Sequence, residues 1–434
     1  MIQNAIRWTG SLVLNRLLSG IWGPSLVALL LAGLLAFGLV ALDNAGLSDW
    51  LAGFGGALAF DVDGASFHLD ALLTVQIAVL TLYFSVTLLI LTLGAQSLGT
   101  RLIERWIARV TIRASLTQWV ALVAFTLLAN LFVADGAPVP RATILFDLAA
   151  TVLALGWLGF GYHSLARTAH VDTTVAELGR TYAADRQDWG LRDGPDPDAE
   201  PDARLAAWTS GYIAGFDRDR LIDAAARAGG RIAVRVPDGA FVVEGEPLVS
   251  LWGDRDGVLA RTFRDTAEIS PYRTDRPTGP FSLALLVDIA ARALSPGIND
   301  YQTAAACADW IGHGLTQRLG KEDAPEGWFT DDAGAARLHV PESGVLLQSR
   351  PHLTAFERSA LPHPFVVERL LAAYGTALRR ATDPRDAARL GDMIDGLLAR
   401  ARDHATPEEA ARLDALVARV RRPPAPVTGS LAAE

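Results

Sequence analysis

Ionisable and hydroxyl side chains set inside long apolar runs are the residues of this chain best placed to do chemistry. Asp147 stands within the apolar segment 142–165, with Ala150, Thr151, Ala154 and Gly161 on its helical face. An acid at that depth is expensive in hydrocarbon and points to a permeation path, proton coupling or a buried pair. Arg141, six residues earlier, and Asn130 in the preceding run are its candidate partners; a position at the outer interface is the alternative. In the segment 71–93, Thr74, Thr81, Ser85 and Thr92 fall near one line at about 100° per residue. Such a stripe packs helices closely through small and hydrogen-bonding side chains, or lines a hydrated pore in an oligomer.

Two further clusters lie outside the apolar runs. Arg101, Arg105, Arg109 and Arg113 recur every fourth residue among apolar neighbours, which makes one basic helical face. The plain reading is a helical extension with its arginines in water or near anionic headgroups. The sharper one is an anion vestibule or a coupling helix. The segment 281–300 carries Asp288 and Arg292 at i,i+4, a stop at Ser295-Pro-Gly, and Asn299 or Asp300 to cap the next helix. This polar corner reads as a capped helix–turn–helix, or as a site for a small molecule or an ion.

Other chemistries find no support. The eight histidines include no i,i+4 pair, the single cysteine (Cys307) precludes a cysteine cluster, and no Walker or Rossmann phosphate loop is present. The expectation is therefore no metal, no cofactor and no enzymatic activity. Lys321 is the only lysine, so Schiff-base or lipoyl-carrier chemistry has no other residue to use. A net charge of −9 argues against nucleic acid as a partner.

The elements that must position these residues follow from an uneven composition. Residues 1–165 hold 7 Lys+Arg and 8 Asp+Glu, against 32 and 40 in residues 166–434. Four apolar runs, 21–42, 71–93, 116–134 and 142–165, each approach the roughly 20 residues that span a bilayer. The first run is too long for a signal-peptide core and reads as a retained anchor. The loop 43–70 has five aspartates and no Lys or Arg, whereas the next loop has four arginines. By the positive-inside rule both termini are cytoplasmic. The glycines of the run 52–60 suit a re-entrant backbone or an interfacial turn.

The remainder has soluble composition. A helix is expected after the last span, then an Asp/Pro/Gly-rich exposed linker over 185–204. A small β unit follows, with strands at 231–236, 240–243 and 248–252. Asp383-Pro and Thr406-Pro open two late helices, and 423–434 reads as a disordered tail. The fold class is an α-helical membrane protein: four transmembrane helices over 1–165, then a cytosolic α+β domain. That domain divides into linker and β unit over 166–260 and a helical bundle over 261–422.

Ala293-Leu-Ser-Pro-Gly-Ile-Asn-Asp300, with Leu286-Val-Asp-Ile-Ala before it and Thr303-Ala and Asp309-Trp after it, resembles the signature of a bacterial predicted-membrane-protein family classified only as a domain of unknown function. The stretch ending Thr92-Leu-Gly-Ala-Gln-Ser-Leu-Gly-Thr-Arg-Leu102, and Ser210–Asp217 with Gly239–Leu248, also resemble it. The family pattern usually has proline after Ile-Asn-Asp, where this chain has Tyr301. The resemblance implies an inner-membrane location and supplies no catalytic residues to transfer. Two functions then remain: an oligomeric channel-like or transport assembly with a cytosolic regulatory domain, and a membrane-anchored scaffold or sensor without transport. The expected partners are lipid, further copies of the chain, and an ion or small-molecule ligand.

Overall fold

A computed structural model describes residues 22–55, 60–99, 110–133, 138–185, 191–237, 239–254, 256–272, 278–319, 327–341 and 344–422. The chain divides into two compact units, Met1–Thr173 and Thr174–Glu434.

In the first unit, α1 (Trp22–Leu42) runs through a π-helical turn (Asp43–Leu47) into the short α2 (Ser48–Ala52). Then come α3 (Val62–Leu98), α4 (Val110–Asn130) and α5 (Arg141–Ala169). The four long helices are apolar and long enough to cross a membrane. Helix α3 begins nine residues before its apolar run, because Asp61 caps it by accepting from the Gly64 N–H at 2.9 Å. Hydropathy misses those first turns, since they contain Asp63, His68 and Asp70, none of which breaks a helix. Alanines at 32, 36, 65 and 129 are buried with Leu69, Phe125 and Ile144, letting the backbones approach. A second layer joins Trp119, Leu122 and Ala154 to Val79 and Leu80. Of three glycines in α5, Gly161 lies against Ser115, where an added Cβ would sit 3.1 Å from the hydroxyl. Gly156 and Gly159 face open space.

The second unit opens with α6 (Val171–Ala184), whose buried face begins at Thr174. Eight strands follow among the described residues: β1 (Ala203–Ala206), β2 (Gly211–Gly215), β3 (Arg231–Val234), β4 (Phe241–Val242), β5 (Pro247–Trp252), β6 (Glu268–Ser270), β7 (Trp328–Thr330) and β8 (Ala336–His339). They form a five-stranded sheet in the order β1-β5-β3-β8-β7 and a three-stranded sheet β4-β2-β6. The β3–β8 pair is parallel and the others antiparallel. The sheets thus draw strands from both sides of residue 260, and β4 pairs with β2 rather than with its neighbour β3. Helices α7 (Arg218–Ala228) and α8 (Val258–Thr266) cover them, burying Leu221, Ala225, Leu259 and Phe263 on Ile232, Val249 and Leu338. Each large apolar side chain so buried contributes about 1.5–3 kcal/mol. The acidic linker is strapped to the sheet: the indole N–H groups of Trp252 and Trp328 donate to the Glu200 and Pro195 carbonyls at 2.9 and 2.8 Å.

Among the described residues six further helices follow: α9 (Gly279–Ala293), α10 (Tyr301–Arg318), α11 (Val345–Ala360), α12 (Pro364–Leu378), α13 (Pro384–Arg402) and α14 (Pro407–Val420). The two proline starts behave as their sequences imply. Asp383 caps α13, and Thr406 and Glu409 form a reciprocal capping box on α14. Glycines at the crossings are filled by neighbours: Gly314 by Tyr182, Gly312 by Ala373 and Gly375 by Val420. The tail 423–434 lies outside the described residues.

Candidate functional site

Asp147 is fully buried where α3, α4 and α5 meet. Gln76 Nε2 donates to its Oδ1 at 2.9 Å, and Thr126 Oγ1 lies 2.7 Å from its Oδ2. Gln76 Nε2 also reaches Thr151 Oγ1 at 2.8 Å, while Gln76 Oε1 lies 2.7 Å from Thr126 Oγ1. The Leu122 carbonyl is 3.0 Å from the same Thr126 hydroxyl. Gln76, Thr126 and Thr151 are buried with the acid. Among the described residues, no cation is bonded to Asp147. The acid is held by neutral groups alone.

Further buried polar groups lie along the same helices. On α3, Gln76, Tyr83 and Thr87 share a face at i, i+7 and i+11. Tyr83 Oη, Thr87 Oγ1, Trp119 Nε1 and Tyr162 Oη are buried without a hydrogen-bond partner among the described residues. The rings of Tyr83 and Tyr162 stand 5.6 Å apart, and Trp157 Nε1 donates to Ser115 Oγ at 2.9 Å. The interior of the bundle is therefore polar at several levels.

At one end of the bundle, Asp43 caps α5 from a distant part of the chain. It accepts from the N–H groups of Ala142 and Thr143, both at 3.0 Å, and from the Thr143 hydroxyl at 2.8 Å. Arg141 donates to Ser48 Oγ at 2.9 Å and to the Phe60 carbonyl at 2.7 Å, with its guanidinium 5.6 Å over the Phe60 ring. Ser48 donates in turn to the Val139 carbonyl. Asn130 donates to Asp70 at 3.0 Å. Neither residue offered by the sequence as a partner of Asp147 bonds to it. Arg141 is held by α2 and the Phe60 backbone, and Asn130 sits just over a turn beyond Thr126 on α4.

The family membership can now be read against this geometry. The family described as "Predicted membrane protein (DUF2254)" matches residues 19–376. The chain belongs to this family. Uncharacterised proteins of Mycobacterium bovis and Mycobacterium tuberculosis are each 24% identical to it over 328 residues, which is 71% of this chain. The match covers 63% of the length of those relatives. No solved structure matches the chain. The DUF2254 match takes in all four membrane helices and both sheets, and it ends within α12, before α13 and α14.

In this DUF2254 chain the hydroxyl stripe lies outside the bundle. Thr74, Thr81, Ser85 and Thr92 are exposed, and each donates at 2.8 Å to the carbonyl four residues earlier. Gln76 stands about 200° round the helix from Thr74, so burying the amide turns the stripe outward. Self-bonded hydroxyls are at home against lipid or a neighbouring helix. The sequence reading singled out the stripe and passed over Gln76. The signal was available: a primary amide has no carbonyl of its own helix to satisfy it, whereas Thr and Ser do.

In the polar corner of the second unit one side chain caps a helix. Asp300 begins α10, accepting from the Thr303 N–H at 3.0 Å and the Thr303 hydroxyl at 2.6 Å. Partial burial works to raise the Asp300 carboxyl, but the hydrogen bonds from Thr303 and the Gln302 backbone outweigh it and hold it below the usual range. Asn299 adopts a left-handed backbone (φ 50°), and the Ser295 carbonyl accepts from the N–H groups of Ile298 and Asn299. Asp288 and Arg292 are exposed on α9. Arg101, Arg105 and Arg109 lie outside the described residues, and Arg113 is half-buried near the start of α4. No cluster of three His, Cys, Asp or Glu side chains that would hold a metal occurs among the described residues.

Proposed function

We propose that this chain is the subunit of a channel-like transport assembly, with its path inside the four-helix bundle past Asp147 and a regulatory cytosolic domain. The observation that carries the reading is the fully buried Asp147, bonded by Gln76 and Thr126 from two other membrane helices. An ionisable residue in the middle of a bundle marks a pathway by default, and the unpartnered Tyr83, Thr87 and Trp119 groups extend the polar interior beyond it. The assembly lies in the bacterial inner membrane with both termini cytoplasmic, as the arginine asymmetry of the loops favours. The outward stripe serves contacts with lipid or a second copy, an ion is the cargo, and no enzymatic step is involved.

Flux of protons and small ions from proteoliposomes tests this. Asp147→Asn is expected to lower flux at least tenfold without loss of assembly, while Thr81→Leu with Ser85→Leu leaves flux intact. Flux lost only in the stripe variant would move the path to an interface between copies. Silence of the wild type across voltage, tension and pH would favour the scaffold reading. For that reading the support is the surface of the three-stranded sheet, where Phe241 (55% exposed) and Val243 (48%) face solvent and Tyr272 (78%) follows β6.

A further inference from the structure

The contacts around Asp147 form a closed triangle: Gln76 to Asp147 at 2.9 Å, Gln76 to Thr126 at 2.7 Å, and Thr126 to Asp147 at 2.7 Å. Each edge needs one hydrogen between its two heavy atoms. Gln76 Nε2 supplies the hydrogen toward Asp147, and its second is directed at Thr151 Oγ1. The Thr126 hydroxyl carries a single hydrogen and so serves one of its two edges. An ionised carboxylate brings none. One edge would then place oxygen against oxygen at 2.7 Å with nothing between them.

Exchanging the oxygen and nitrogen of the Gln76 amide moves the shortfall without removing it. Gln76 then donates to Thr126 and Thr126 to Asp147, but the Gln76 oxygen faces the Asp147 oxygen at 2.9 Å. The Leu122 carbonyl deepens the deficit, since it competes for the same hydroxyl hydrogen. In both orientations one hydrogen is missing, and only the acid can supply it.

We infer that Asp147 carries a bound proton that closes this triangle, which makes the bundle interior a membrane-embedded proton-binding site. The proton stands where a soluble protein would use a counter-cation. Among the described residues, titratable groups on the packed helices are few and none bonds to the triangle. Asp63, His68 and Asp70 are on α3 toward the Asp43 end, with Arg141 on α5; Tyr83 on α3 and Tyr162 and His163 on α5 lie the other way. Arg113 is more than three turns from Thr126 on α4, and α1 contributes none. Release of the proton to water leaves two hydrogens for three edges, so one contact among α3, α4 and α5 must open. Proton occupancy and helix contact are thereby coupled.

Infrared difference spectra of the full chain in lipid at neutral pH read this directly. The wild type should show the carbonyl stretch of a protonated carboxylic acid, absent from Asp147→Asn and shifted in Thr126→Val, which removes a hydrogen-bond partner. Identical acid bands in the wild type and Asp147→Asn would overturn the inference, as would no acid band in either. Should Asp147→Asn not fold, Thr126→Val decides alone: a shifted band supports the bound proton and an unmoved one refutes it. The inference rests on the triangle and not on the transport reading. The spectra read it whether or not the protein conducts, and flux can fail while the acid band persists.

Discussion

Glu357 in the soluble unit and Asp147 in the membrane unit are both fully buried carboxyl groups, and their surroundings differ in kind. Glu357, on α11, receives Arg350 at 3.3 Å, Arg400 at 2.5 Å and the Tyr374 hydroxyl at 3.0 Å. The two arginine side chains are 42% and 40% exposed, so they reach the buried carboxyl from the surface of the unit. Asp147 has only an amide and a hydroxyl. A soluble domain can draw cations from its hydrated surface to neutralise a buried acid. A bundle surrounded by hydrocarbon has no such reservoir, and a single proton takes the place of two guanidinium groups.

This contrast predicts a graded series of effects. Glu357→Ala strands two arginines and a tyrosine, and should lower stability of the soluble unit by about 3–5 kcal/mol in denaturant titration of the full chain. A loss below about 1 kcal/mol would mean that solvent already screens the cluster. Asp147→Leu leaves Gln76 and Thr126 without their buried partner, and is expected to cost about 1–3 kcal/mol in thermal melts in nanodiscs. Asp300→Ala removes a local cap, for a loss of about 1 kcal/mol. Because the folded Asp300 carboxyl titrates below its ordinary value of 3.8, its contribution is complete above that pH. It fades as acid takes the pH down through the lowered value, where wild type and variant should converge. The smallest effect belongs to Asp147→Asn, whose amide replaces the acid's hydrogen and keeps all three edges. Its stability should stay within about 0.5 kcal/mol of wild type, and a large loss would align Asp147 with Glu357 as a charged group.

What the sequence disclosed divides along the same line of distance. The four membrane helices were legible because some 20 apolar residues in a row leave few other structures. The caps at Asp300, Asp383 and Thr406 were legible because each acts within three residues of itself. The strands were not equally so. Those at 231–234, 241–242 and 247–252 carry their own rhythm, whereas β1 reads only Ala-Arg-Leu-Ala and β8 is defined by a parallel partner about a hundred residues away. Asp147 stood out as an acid in an apolar run, but its true partners lie 71 and 21 residues away in sequence, beyond any local periodicity. The stripe shows a physical limit: regular spacing records which side chains share a face and is silent on whether that face turns inward.

The Asp43 cap has a consequence for biogenesis. Its acceptors are filled by N–H groups 99 and 100 residues later in the chain. At synthesis rates of about 5–20 residues per second, the end of the first helix waits roughly 5–20 s for its partners to be made. During that interval Asp43 must stay hydrated at the membrane surface, which keeps the hairpin from sinking and holds a berth open for the last helix to arrive.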